Sequence, residues 1–408
     1  MSDFIAAVNG NGDTERTLVV VFLRGGADGL TLVPPVEDDN YYRARPRIAT
    51  EKKDAVRLDS LFGLHPLLAP LKPIYTEGQL AILHAAGSED DSHSHFDAQD
   101  SMEHGGGVTA GGWLGRFLRY RARAGGAESG GPLSAIALGR KFPECLRGAP
   151  SVTVMQSTED FSLGAGTAQM TSELDRLYRT QPGALASAGR DTLNALGRIE
   201  TMRTTVYKPE NGAQYGTDNF SQGLRQTAQL IKARVGLEAV SLDLEGWDSH
   251  FAQSTVVEPL MRQLAQGLAA FRLDLGNAID RTTTIVMTEF GRRVQENSSF
   301  GTDHGSGGAM FAMGGGIRGG RVLGKWPGLT ADLLTGPGDL QVAYNYRNLI
   351  APVLARLGAG GQLKSIFPDF DLEPLDLYPL QTNLQLPHGR CPRPPRRHSE
   401  SGVRSEHD

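Results

Sequence analysis

Short, continuous apolar runs recur along the chain, separated by glycine-rich or polar turns. Thr17 to Leu23 (TLVVVFL), Gln79 to Ala86 (QLAILHAA), Ala239 to Leu244, Thr282 to Met287 (TTTIVM) and Ala309 to Gly314 (AMFAMG) are the clearest. They are rich in β-branched residues, too short for helices and apolar on both faces, which predicts buried strands of a mostly parallel sheet. Helical spacing fills the gaps: His65 to Gly78 reads as a crossover helix, with further helices at Trp113 to Ala124, Val257 to Leu275 and Tyr344 to Leu357. Leu133 to Leu138 and Ser151 to Met155 read as accessory or edge strands. The stretch Thr171 to Val235 is periodic in Leu, Ile and Ala and broken at Pro182-Gly183 and Lys208-Pro209, so it reads as a helical layer or insert. Strand, helix and strand in the order of the first such runs predict a right-handed βαβ unit.

Composition narrows the class. The 408 residues suffice for one large α/β domain, expected over residues 1–385, with a Pro/Arg-rich tail at 386–408 that has the composition of disorder. A net charge of −5 gives no electrostatic reason to expect nucleic acid. Two widely separated cysteines, Cys145 and Cys391, do not make a disulfide framework or a four-cysteine zinc site. No apolar run is long enough to span a membrane, and the first residues carry no signal-peptide pattern. The expected location is therefore cytoplasmic, or periplasmic if an export leader was lost. Glycine is abundant at 51 residues and clusters beside acids and histidines, a pattern of functional loops.

Candidate chemistry follows the strand-like runs. Arg24-Gly25-Gly26-Ala27-Asp28-Gly29 succeeds the first, Glu245-Gly246-Trp247-Asp248-Ser249-His250 the third, and Thr288-Glu289 with Arg292 the fourth; Asp303 and His304 come a short loop later. Carboxylates and imidazoles just beyond strand ends suit a divalent metal site at the carboxyl edge of a sheet. Asp248 and His250, two apart, share a face if the backbone is extended. Each group taken singly also fits a capped turn or a solvated loop. After the second run comes GSEDDSHSHFDAQDSMEHGGG, where Phe96 to Glu103 can begin a helix with Ser94 near its N-cap. Backbone N–H groups and the helix dipole there suit an anion, though an ordinary serine cap uses the same geometry. His93, His95 and His104 in this stretch are potential ligands or merely solvated, and His84, inside an apolar run, reads as a core histidine.

In order, FLRGGADGLTLVPP, SHFDAQDSMEHG, GGWLGRFL, GWDSH, TEFGRR and GTDHGSGG resemble motifs of the bacterial family called domain of unknown function 1501, across roughly Leu18 to Leu357. That family is grouped with the alkaline phosphatase and sulfatase superfamily. The resemblance implies a three-layer α/β/α, alkaline phosphatase-like domain and metal-dependent hydrolysis of phosphate or sulfate esters, with a small-molecule or glycan ester as substrate. It implies metal ligands at Asp28, Asp248, His250 and His304, to which Glu289 and Asp303 are added by position, and a nucleophile at Ser94. His95 is the expected acid or base, and Arg24 and Arg292 the expected clamps on substrate oxygens. Zinc is the expected ion, in unspecified number. Glu289 stands where the superfamily usually has an Asp-His pair, and Phe290 follows it, so one imidazole of a two-metal set is missing. His93 stands where many family members carry arginine. Two alternatives stay open: a non-catalytic metal-binding protein, and non-haem iron chemistry on His250, His304 and one carboxylate.

Overall fold

Strand β1 (Thr17–Arg24) lies in the middle of a sheet covered on both faces. Leu18, Val20 and Phe22 enter one apolar cluster, and Val19, Val21 and Leu23 the other, none more than 2% exposed. Burial on both sides explains why the run is continuously apolar rather than alternating. At about 1.5–3 kcal/mol per buried side chain, these six contribute on the order of 10 kcal/mol before entropy is counted. The computed structural model describes residues 16–379, apart from 108–109, 125–129, 163–166, 181–182 and 205. The Pro/Arg-rich tail lies outside the described residues.

The other sheet strands are β2 (Leu80–Gly87), β3 (Ala135–Leu138), β4 (Thr153–Met155), β5 (Ala239–Glu245), β6 (Thr282–Met287), β7 (Gly308–Gly314), β8 (Arg321–Leu323) and β9 (Tyr344–Asn345). Their order is β8-β2-β7-β6-β1-β5-β3-β4, with β9 also paired to β2. Within this sheet all pairings are parallel except those of β7, which runs antiparallel to both β2 and β6. The mostly parallel sheet read from the apolar runs is thus observed. The first two apolar runs are not neighbours, however, because β6 and β7 are inserted between β1 and β2.

The longer helices are α1 (His95–His104), α2 (Trp113–Ala124), α3 (Thr167–Thr180), α4 (Ala184–Arg203), α5 (Asn219–Lys232), α6 (Gln253–Leu275) and α7 (Tyr346–Leu354). Residues of α5 and α6 pack with Val19, Val21 and Leu23, and those of α2 and α7 with Leu18, Val20 and Phe22, giving α/β/α layering. The single crossover helix expected at His65 to Gly78 is instead a 3-10 turn, Pro66–Leu71, and a short helix, Lys72–Thr76. Pro66, Pro70 and Pro73 lack the backbone donors that a continuous α-helix needs there. His84 is the core histidine its setting suggested: 2% exposed, with Nε2 2.9 Å from the Val33 carbonyl. Burial drives its pKa down to about 4, so it stays neutral.

The direction of β7 decides where the chemistry gathers. β1, β2, β5 and β6 are co-directional, so the loops after them open on one carboxyl edge. Because β7 runs the other way, its N-terminal approach, carrying Asp303 and His304, starts from that same edge.

Candidate metal centre

Three connections bring the side chains together: those after β5 and β2, and the one between β6 and β7. The loop after β5 carries Asp248 and His250, that before β7 carries His304, and the one after β2 leads into α1 and His95. The segment after β6 contributes Glu289 and Arg292 behind them. Glycines make the approach close enough. Gly25 has φ +120°, and a Cβ there would sit 2.5 Å from the Asp248 backbone nitrogen. At Gly301 a Cβ would lie 2.3 Å from the His250 carbonyl carbon.

Each of three imidazoles has Nδ1 on a group that can only accept. His95 Nδ1 donates to Glu289 Oε1 at 2.9 Å, His304 Nδ1 to the His93 carbonyl at 2.7 Å, and His250 Nδ1 to Asp303 Oδ1 at 3.3 Å. In the neutral ring, a carboxylate or carbonyl acceptor places the proton on Nδ1 and leaves the lone pair on Nε2. Those Nε2 atoms converge. His250 Nε2 and His304 Nε2 are 2.9 Å apart, and Asp248 Oδ1 lies 3.1 Å from the first and 3.3 Å from the second. His95 Nε2 lies 3.5 Å from Asp248 Oδ2 and is buried without a hydrogen-bond partner among the described residues. Ligating atoms of His95, Asp248 and His304 all fall within 4.8 Å of one another.

Two imidazole lone pairs facing each other beside a carboxylate repel unless a proton or a metal cation lies between them. Donors about 2.1 Å from one ion are about 3.0 Å apart in an octahedron and about 3.4 Å in a tetrahedron. The spacings of 2.9, 3.1 and 3.3 Å lie in or beside that range, so the residues present fit a divalent ion.

The electrostatics agree. Burial acts to raise the Asp248 pKa, but Arg292, bonded to it at 2.8 Å, and His304 overcome that and hold it at about 2. Burial works the same way on Glu289, which hydrogen bonds from His95 and Gln99 hold at about 2. The hydrogen bond to Glu289 raises the His95 pKa, while burial lowers that of His304.

Several residues stand differently from their expected roles. Asp28 is turned into the core, and its oxygens accept from Arg45 at 2.6 and 3.1 Å, Gln253 at 2.8 Å, Thr31 at 2.7 Å and the Leu30 amide at 3.1 Å. No lone pair is left for an ion. Glu289 and Asp303 sit behind histidines and orient them. Arg292 is no substrate clamp: its side chain is fully buried, bonding the carbonyls of Gly25, Gly26 and Thr302 and the Asp248 carboxylate. Arg24 is also committed, to Glu103 at 2.7 Å and Asp243 at 3.1 Å. Ser94 is the N-cap of α1, with its hydroxyl 3.4 Å from the Asp97 amide. His95, expected as acid or base, turns its Nε2 toward Asp248 and His304, within the group of atoms that could hold an ion. The tethers that matter most, Arg292 to three loops and the His93 carbonyl to His304, carry no spacing signature in the sequence.

The fold and site together define an α/β/α protein with a His/Asp group able to hold a metal ion at the carboxyl edge of its sheet. The chain belongs to the family described as "Protein of unknown function (DUF1501)", whose sequence profile matches residues 155–362. This is the family its ordered motifs resemble. No curated protein sequence matches the chain. Among solved structures it is similar to a mutant of TAB5 alkaline phosphatase with Mg bound, at 9% identity over 74% of this chain and 92% of that one, TM-score 0.32. It is similar as well to alkaline phosphatase from the Antarctic bacterium TAB5, at 10% identity over 74% and 93%, TM-score 0.27. A 2-O GAG sulfatase is similar at 10% identity over 87% of this chain and 71% of that one, TM-score 0.30. Among the described residues no helix is long and apolar enough to cross a membrane.

Proposed function

We propose that His95, Asp248, His250 and His304 bind one divalent metal ion, and that the protein is a metal-dependent hydrolase of a phosphate or sulfate ester. The observation that carries the reading is the pair of Nε2 lone pairs 2.9 Å apart, each opposite an Nδ1 held by an acceptor. A bound divalent ion supplies Lewis acidity and offsets charge on the group being transferred. The chain supplies the rest. Glu289, Asp303 and the His93 carbonyl keep the three rings in the Nδ1–H tautomer, and Arg292 keeps Asp248 ionised and in place. Ser94, next to His95 at the start of α1, is the proposed nucleophile, among amides that favour an anion. Arg293, whose side chain is 35% exposed and lies 3.7 Å from Asp303 and 4.0 Å from Asp339, is the proposed cation for a substrate oxygen.

One observation favours a second reading. With Asp28 and Glu289 turned away, the group offers three imidazoles and one carboxylate to a single ion, a donor set that suits iron as well as zinc. Metal analysis of the purified chain, paired with turnover of 4-nitrophenyl phosphate and 4-nitrophenyl sulfate in zinc, manganese and iron, separates the two. One equivalent of metal with ester turnover supports the hydrolase. One equivalent with no turnover on either ester moves the differently reactive metal protein ahead. No bound metal overturns both.

A further inference from the structure

A cleft of about 1490 Å³ opens over the carboxyl ends of β3 and β5, and no residue of the His/Asp group lines it. It is lined by Ala137, Leu138 and the stretch Ser241 to Glu245, by residues of α5 and of the loop after β4, and by Arg203 and Tyr207. Ligands of open α/β sheets lie in crevices at strand carboxyl ends. The volume exceeds the ~300–1,000 Å³ of ordinary small-molecule pockets, so the cleft has room for an extended ligand.

The lining says what kind. Gln156, Gln222, Gln226, Gln229 and Gln263 all face the cleft, joined by Asn219. An amide presents donors and an acceptor on one planar group, the complement of a hydroxyl, which also does both. Gln226 spends its oxygen on the Thr158 amide at 2.7 Å, Gln156 its oxygen on Arg140 at 3.0 Å, and Gln222 its nitrogen on the Gly216 carbonyl at 2.6 Å. Each keeps the other end. Gln229 and Gln263 make no side-chain hydrogen bond among the described residues. Charge is nearly balanced: four basic side chains (Arg140, Lys141, Arg203, Arg225) against five acidic ones (Glu159, Asp160, Asp218, Asp243, Glu245). A site for a polyanion would carry one dominant sign.

We propose that this cleft binds a neutral, hydroxyl-rich chain of the oligosaccharide class, with Gln229 and Gln263 as its uncommitted contacts. The proposal stands apart from the metal reading, because it concerns binding and shares no residue with the His/Asp group. The test is calorimetric titration of the full chain with cellohexaose, maltohexaose, xylohexaose and chitohexaose, with heparin as the polyanion. The expected result is binding of at least one neutral hexasaccharide, weakened tenfold or more in the Gln229→Ala/Gln263→Ala double variant. Metal content and melting temperature should match wild type, since both side chains are partly exposed and unbonded. Three results overturn the proposal: no neutral hexasaccharide bound at millimolar concentration, equal affinity in the double variant, or heparin bound in a salt-sensitive way in place of the neutral sugars.

Discussion

Replacing Asp28 by asparagine separates a structural carboxylate from a metal ligand. The amide is isosteric, and asparagine caps a helix about as well as aspartate, so the turn at Gly29–Leu32 keeps its cap. What changes is the buried ion pair. Asp28 is 3% exposed, and the Arg45 side chain, paired to it at 2.6 Å, is fully buried. The substituted side chain would lose the charge and point an NH₂ at donors from Arg45, Gln253 or Thr31. Removing one partner of a buried pair costs about 3–5 kcal/mol. At roughly 2 °C per kcal/mol for a chain of this size, the melting temperature should fall by about 6–10 °C. Metal stoichiometry should be unchanged. The pH dependence follows from the sign of the shift. Burial works to raise the Asp28 pKa, but Arg45 overrides it and the folded value is depressed. Its stabilisation is then complete above the unfolded carboxyl pKa of about 3.9 and fades as pH falls through the folded value. The gap between wild type and Asp28→Asn should be constant from about pH 5 upward and shrink below about pH 4. Thermal melts across pH and inductively coupled plasma metal analysis read both quantities. A variant that melts within ~2 °C of wild type yet loses its metal would refute the reasoning and restore Asp28 as a ligand.

His304→Ala and His250→Ala should each lower metal stoichiometry, since each removes an Nε2 from the facing pair; full metal content in both variants would place the ion elsewhere. Arg292→Lys cannot reproduce the bonds to three loop carbonyls and Asp248, so metal affinity should fall by about 10–100-fold, measured by chelator competition. Equal affinity would mean that Asp248 needs no tether. Ser94→Ala should cost about 1 kcal/mol of capping and keep the metal, while ester turnover drops by orders of magnitude. Full turnover in that variant would assign the attack to Ser92 or to water.

The apolar runs determined the sheet, because a strand buried on both faces has little choice but continuous Val, Ile, Leu and Thr, as β1 and β6 display. The helix start at Ser94 was equally legible, since a serine followed by an acidic first turn is a local capping signal read within a few residues. The residue types of the His/Asp group were visible too, because imidazoles and carboxylates beside strand-end glycines are local facts. Their division of labour was not. Asp28 and Asp248 both follow strands beside glycine, yet one meets Arg45 in the core and the other meets Arg292 and two imidazoles at the surface. Nothing within a few residues of either distinguishes them; the difference is which arginine, 17 or 44 positions away, reaches the carboxylate. Likewise Glu289 reads as a ligand until His95, 194 positions away, is seen to place its Nδ1 against it. Whether β7 runs parallel or antiparallel also left no mark on AMFAMG, because a fully buried strand presents the same apolar face in either direction. That direction brought His304 to the edge where Asp248 and His250 stand, and only packing between distant segments could decide it.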